Sequence, residues 1–208
     1  MIVIKKYSQP NSLIKYKKSE KYPTYETVPT NIKNDIKQQL IEEQGYICAY
    51  CMKRIKKDDT STIEHYIPRN GKNGNPDKQL DYNNLLAVCD GNRGSKNLTC
   101  DASKGSDLIT VNPLSETSVQ QIKYKSDGTI YSNSQAINHD LDITLNLNYI
   151  TIKSNRKSAL DILKKKLINA KNTGDWSNIA KKYYNKLNQA QMKSPYVGIL
   201  LDYLKKYL

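Results

Sequence analysis

Cys48-Ala-Tyr-Cys51, Ile63-Glu64-His65-Tyr66-Ile67-Pro68-Arg69, Asn83-Asn84-Leu85-Leu86-Ala87-Val88-Cys89 and Thr99-Cys100-Asp101-Ala102-Ser103-Lys104-Gly105 follow one another in a single window of the chain. That window holds all four cysteines and one of the two histidines. The sulfurs are spaced Cys48-x2-Cys51, then 37 residues to Cys89, then ten to Cys100. A Cys-x-x-Cys turn lets two thiolates bite one tetrahedral ion, and two more can arrive from elsewhere in the fold. Structural zinc at Cys48, Cys51, Cys89 and Cys100 is therefore expected. The competing readings are free buried thiols or disulfides. The ten-residue gap before Cys100 is less specific than a second Cys-x-x-Cys. The residues between the sulfurs are then placed to surround a second, harder metal.

At 208 residues the chain has room for one domain with appendages or two small ones. Sixteen Tyr, one Trp and no Phe build a modest core with amphipathic rings at its edge. The longest apolar runs fall far short of a membrane span, so no membrane association is expected. The first residues, Met1-Ile2-Val3-Ile4-Lys5-Lys6, lack the pattern of a secretory signal. A cytoplasmic location follows as the expectation, and a reducing cytosol disfavours disulfides. The net charge is +13, and residues 151–208 contribute most of it, with 13 basic against 3 acidic side chains. A basic face of that size suits a polyanion such as nucleic acid. It equally suits a solvated Lys-rich face.

The chain divides into an N-terminal arm and helix (1–47), a cysteine-bearing core (48–110) and a hairpin followed by a basic helical region (111–208). Residues 1–29 read as an extended arm with short helical turns. Thr30 or Asn31 caps a helix with Ile32, Ile36 and Leu40 on one face, stopping at Gly45. Residues 46–67 suit a hairpin, and 70–79 form a polar loop rich in Gly and Asn. A second hairpin turns at Asp127-Gly128. Helices then place Leu160, Leu163 and Leu167 on one face, ending near Gly174. The next, capped by Asp175, puts Trp176, Ile179, Tyr183, Leu187 and Ala190 inward. Ser194-Pro195 opens a last helix through Leu200 and Leu204. These stripes read as core. The second histidine, His139, reads as structural or exposed.

Period-two alternation sets Ile63, His65 and Ile67 on one face of a strand, with Glu64 on the other. A histidine of near-neutral pKa can take a proton from water and turn it into a nucleophile toward phosphorus. It must be oriented through its other ring nitrogen, and a metal must face the leaving oxygen. Asp101 is tied to Cys100 and supplies an oxygen of the kind magnesium prefers.

In this order the residues resemble the ββα-metal motif of the HNH endonucleases. The resemblance implies an α+β fold: a ββα-metal HNH core with a four-Cys zinc knuckle, an N-terminal helix or arm, and a C-terminal helical region. By position, His65 matches the general base and Glu64 the acid before it, which in many members binds the metal. Asn84, chosen over Asn83 for its place in Asn-Leu with a Cys five residues on, matches the Asn that tethers the loop and orients the base. Asp101 takes the final His/Asn position of Cys-His-x-x-Lys-Gly and is expected to hold magnesium or manganese, with Glu64 beside it. Lys104 is expected to point at phosphate, and Arg69 to contact nucleic acid. Two departures stand out: Asp replaces His at the last position, and Glu replaces Asp before the base.

The chain is also similar to one HNH subfamily, through Glu-Glu-Gln-Gly-Tyr-Ile-Cys-Ala-Tyr-Cys (42–51), Val-Asn-Pro-Leu (111–114), Leu-Asn-Leu-Asn-Tyr-Ile (145–150) and Asn155-Arg156. That subfamily is the PtuB-like nuclease of Septu-type anti-phage defence, including copies attached to retrons. It implies a nuclease of DNA or RNA with an ABC-type ATPase as partner. In retron-attached copies a reverse transcriptase/ncDNA complex is a further partner. The alternatives are a non-catalytic zinc-knuckle subunit that binds nucleic acid, and a nuclease acting on RNA such as tRNA.

Overall fold

The computed structural model describes residues 1–58, 60–170 and 175–208. It is mixed α+β, with two small antiparallel sheets among helices. The arm contains a nine-residue helix, α1 (Asn11–Ser19), whose Leu13 and Tyr16 are buried. Helix α2 (Thr30–Glu43) follows, with Ile36 and Leu40 fully inside and Ile32 packed at the edge of the core. Pro29, not Thr30 or Asn31, occupies the capping position, and no side chain caps this helix.

The expected hairpin over 46–67 is only a stub. Ile47 and Arg54 form an isolated bridge. Strand β1 (Ser61–His65) pairs instead with β2 (Leu85–Cys89), in a register that sets His65 opposite Leu85 and Ser61 opposite Cys89. The reason is burial: Leu85 to Cys89 is an unbroken apolar run, fully inside, and needs a partner strand on its open edge. A short helix, α3 (Cys100–Lys104), packs on β2. Two strands and a helix thus stand together around the sulfurs.

Beyond them come α4 (Glu116–Gln120), the hairpin β3 (Ile122–Tyr124) and β4 (Ile130–Ser132), and α5 (Gln135–His139). Gly128 turns that hairpin at φ +88, where an added Cβ would lie 2.2 Å from the Lys153 carbonyl oxygen. Residues Asp140–Thr144 form a π-helical turn that buries Leu141 and leaves Ile143 exposed. Helix α6 (Ile150–Ala170) buries Leu160, Leu163 and Leu167 as expected. Its expected end near Gly174 lies outside the described residues. Asp175 caps α7 (Trp176–Gln189) by accepting from the Ser177 and Asn178 amides. Helix α8 (Val197–Leu204) starts two residues beyond Pro195, after Tyr196 at φ +58. Among the described residues, no helix is long and apolar enough to cross a membrane.

Candidate metal and catalytic site

The four cysteines converge. All are buried and free of disulfides, and their sulfurs lie within 4.8 Å of one another. Cys48 and Cys100 are 3.9 Å apart, Cys51 and Cys89 3.8 Å, and Cys89 and Cys100 3.7 Å. A Zn–S bond of about 2.3 Å in a tetrahedron puts sulfurs about 3.8 Å apart. The donor set therefore fits zinc in both kind and spacing. Local backbone aims the sulfurs. Met52 takes φ +63, so its amide reaches the Cys48 carbonyl at 3.0 Å and the Lys53 amide reaches Cys51 Sγ at 3.4 Å. On the other side, Cys100 takes φ +55 while its amide donates to the Leu145 carbonyl at 2.8 Å. Gly91 (φ +64) lets the polar loop close beneath it, since a Cβ there would meet the Thr99 carbonyl at 2.3 Å.

His65 ends β1 and is 7% exposed. Its Nε2 lies 3.0 Å from the Gln79 carbonyl oxygen. A carbonyl only accepts, so Nε2 carries the proton and Nδ1 keeps its lone pair. Burial holds the imidazole down at about 4, so it is neutral at physiological pH. The Tyr25 ring stands edge-on to it at 4.5 Å.

Asn84 fixes the loop that carries this carbonyl. Its Oδ1 accepts from the Ile67 amide at 2.7 Å. Its Nδ2 donates to the carbonyls of Ile67 at 2.9 Å and Lys78 at 3.1 Å. Lys78 immediately precedes Gln79, so the asparagine sets the position of the group that holds His65. Asn83, by contrast, is exposed.

Glu64 is also buried, at 5% exposure. Its Oε1 accepts from Tyr50 Oη at 3.1 Å and from Lys104 Nζ at 2.8 Å. Burial, then its hydrogen bond and repulsion with Asp101, push its carboxyl up to about 8. Asp101 opens α3. Burial pushes its carboxyl up, but the bond from Glu64 and the Arg93 guanidinium outweigh this and leave it lowered. Arg93 Nη2 lies 2.5 Å from Asp101 Oδ2. The hydrogen bond between the two carboxyls thus raises Glu64 and lowers Asp101. Carboxylate oxygens are the donor type that magnesium or manganese takes.

The structure brings Glu64 and Asp101 together next to the sulfurs, through Tyr50 of the Cys48–Cys51 turn and through Cys100, and joins Asn84 to the loop that holds His65. Lys104 sits differently from its expectation: it is 1% exposed, and besides Glu64 it reaches the His65 carbonyl at 3.4 Å. Arg69 is paired with Glu26 and lies 4.7 Å from the Tyr25 ring centre. His139 is exposed. Four participants escaped sequence reasoning: Tyr25, Tyr50, Gln79 and Arg93. Only Tyr50 carried a signal, its place inside Cys-Ala-Tyr-Cys.

No family model matches the chain. It is similar to the "Retron Vc95 putative HNH endonuclease" of Vibrio cholerae serotype O1 biovar El Tor, 27% identical over 99 residues, covering 48% of this chain and 47% of the relative. It is also similar to the "Retron Ec83 putative HNH endonuclease" of Escherichia coli, 35% identical over 79 residues, 33% of this chain and 31% of the relative. The matched region spans about half or less of each relative's length.

Proposed function

We propose that this protein is a metal-dependent HNH nuclease that hydrolyses phosphodiester bonds. The reading rests most heavily on one observation. A neutral histidine is held through Nε2 by a backbone carbonyl, with Nδ1 left as a base, on the strand whose preceding residue, Glu64, meets the Asp101 carboxyl. The likeness to two retron proteins bearing the HNH endonuclease name supports it.

In this reading, β1, β2 and α3 are the ββα-metal core and the four thiolates staple it through zinc. His65 Nδ1 takes a proton from water as that water attacks phosphorus. Asn84 keeps the Gln79 carbonyl in place, so the ring holds its tautomer and aim. Glu64 and Asp101 would hold a magnesium or manganese ion, which when bound offsets charge on the leaving 3′ oxygen. Arg69, at the rim, contacts nucleic acid. DNA is the favoured substrate, and the setting is anti-phage defence of the Septu or retron kind, with an ABC-type ATPase or retron components as partners. The basic C-terminal helices supply either a phosphate-tracking surface or a docking face.

The test is plasmid and oligonucleotide cleavage, on DNA and RNA, with and without magnesium. Wild-type cutting that His65→Ala abolishes supports the reading. Equal cutting by that variant removes His65 from the role. The second reading, a zinc-knuckle subunit that binds without cutting, draws on a specific observation: Lys104 and Arg93 already occupy both acids. It predicts one zinc and salt-dependent binding with no cleavage in any metal.

A further inference from the structure

The segment between α1 and α2 lies against the histidine that the proposed chemistry uses. Tyr25 is its central residue. The ring meets His65 edge-on, and the Tyr25 amide donates to Gln79 Oε1 at 2.9 Å, on the residue whose carbonyl holds the same histidine. From below, α1 fixes the turn: Tyr16 Oη donates to the Thr24 carbonyl at 3.1 Å and lies 2.6 Å from Thr27 Oγ1.

Two cations gather at the same ring. Arg69 is 4.7 Å from its centre and Lys33 Nζ is 5.0 Å away. One acid answers them. The Glu26 carboxylate is paired with Arg69, while the Glu26 carbonyl accepts from Lys33 at 3.3 Å. The Glu26 side chain is 59% exposed and that of Arg69 29%. An ion pair this open is weak, screened by salt and easily exchanged. A phosphodiester can take the carboxylate's place, since its two non-bridging oxygens also meet the planar fork of a guanidinium.

We propose that Arg69 and Lys33, gathered at Tyr25, form a seat for a substrate phosphate beside His65, and that Glu26 is the seat's resting occupant. The ligand is a backbone phosphate of nucleic acid, which takes the place of the Glu26 carboxylate. Tyr25 is a positioning residue: it ties the seat to the histidine through ring contact on one side and Gln79 on the other. This inference rests on the nuclease reading for its ligand and deepens it by naming a contact point for the strand.

The experiment measures binding of a fluorescein-labelled 20-nucleotide single-stranded DNA in magnesium-free buffer, so that no substrate is cut. Glu26→Gln should tighten binding up to about five-fold, the ceiling for releasing a surface ion pair. Glu20→Gln removes the same charge from an exposed site on the same segment, and should change binding much less. Arg69→Gln should weaken binding and abolish the gain from Glu26→Gln in the double variant. A gain from Glu26→Gln that survives without Arg69, or one matched by Glu20→Gln, is only a net-charge effect and overturns the seat. So does an unchanged Glu26→Gln affinity, and so does inorganic phosphate competing as well as the oligonucleotide.

Tyr25 is read separately, by diethylpyrocarbonate modification of His65 relative to exposed His139. Tyr25→Ala should speed it and Tyr25→Phe should restore the wild-type rate; no change in Tyr25→Ala removes Tyr25 from the positioning role. If Tyr25→Ala fails to fold, the exposed Glu26 variant still decides the seat. Wild-type cleavage with binding indifferent to Glu26→Gln sinks the seat alone. Tightened binding without cleavage sinks the nuclease reading alone.

Discussion

Lys104 Nζ lies 2.8 Å from Glu64 Oε1 with both side chains withdrawn from solvent, across 40 positions of sequence. Glu64 is nonetheless raised to about 8, because its burial and the neighbouring Asp101 carboxyl outweigh Lys104. The arrangement is a four-member chain, Lys104 to Glu64 to Asp101 to Arg93, with a cation at each end and two carboxyls between.

That chain sets a pH dependence. Glu64 is raised from 4.5 to about 8 and His65 lowered from 6.5 to about 4. Between 4.5 and 6.5 the two oppose each other: the folded state gains a proton at Glu64 and forgoes one at His65. From pH 6.5 to 8 the folded state still gains a proton at Glu64 but forgoes one at the buried Met1 amino group, which burial lowers from 8.0 to about 4, so the two offset each other in the wild type. Glu64→Gln removes the gain and leaves the loss. Its stability relative to wild type should therefore rise from pH 6.5 to 8 in magnesium-free buffer, by at most about 2 kcal/mol. Equal melting-temperature slopes in the two proteins across that window would contradict a raised Glu64.

Zinc should be stoichiometric and structural. One ion per chain is expected by metal analysis of anaerobically purified protein. Cys100→Ser, or prolonged chelation, should lower the melting temperature and broaden the transition, because the sulfurs join both ends of the Cys48–Cys100 stretch. A protein that melts identically after its zinc is stripped would leave the cysteines as ordinary core residues.

Asn84→Ala removes three hydrogen bonds to the 67–78 backbone. The half-buried Ile67 amide loses its partner, at a cost of about 1 kcal/mol. Catalysis should drop further than stability does, because the Gln79 carbonyl shifts and His65 loses its aim. His65→Ala should lower cleavage on the order of a hundredfold or more with zinc content unchanged. Cleavage rates measured beside melting curves separate the two effects. An Asn84→Ala protein with wild-type turnover would deny the residue any hold on the histidine.

Arg156 is fully buried and donates to the Gly128 carbonyl at 2.7 Å, the Leu147 carbonyl at 2.7 Å and Asn148 Oδ1 at 3.1 Å. It thereby joins α6 to the β3–β4 turn. Arg156→Met should destabilise by about 3 kcal/mol, since buried carbonyls lose a charged donor. Urea denaturation is the measurement, and a loss below half that figure would show that water replaces the guanidinium.

Local order made much of this legible in advance. The 3.6-residue stripes of α2 and α6, the Asp127-Gly128 turn and the Asp175 cap depend on neighbours a few positions away, and each appears where its pattern lies. In α7 Trp176, Ile179, Tyr183 and Leu187 pack at the core's edge, but Ala190 lies past the helix end and Ala180 is the residue buried. The Cys-x-x-Cys bite marked four sulfurs for one ion, and Asn84 and Asp101 stood beside strand and sulfur by simple adjacency. Contacts between distant residues carry no period. Nothing near Ser61–His65 shows that its partner strand starts at Leu85, because that choice depends on the buried edge left open after the core forms. Lys104 was expected at phosphate, yet its side chain enters the interior once α3 packs on β2 and finds Glu64 waiting there. Tyr25 and Arg93 reach His65 and Asp101 from loops with no motif at all. Short-range patterning specifies elements and ligand types. Which charge meets which, and which of them loses its water, is settled only when those elements pack.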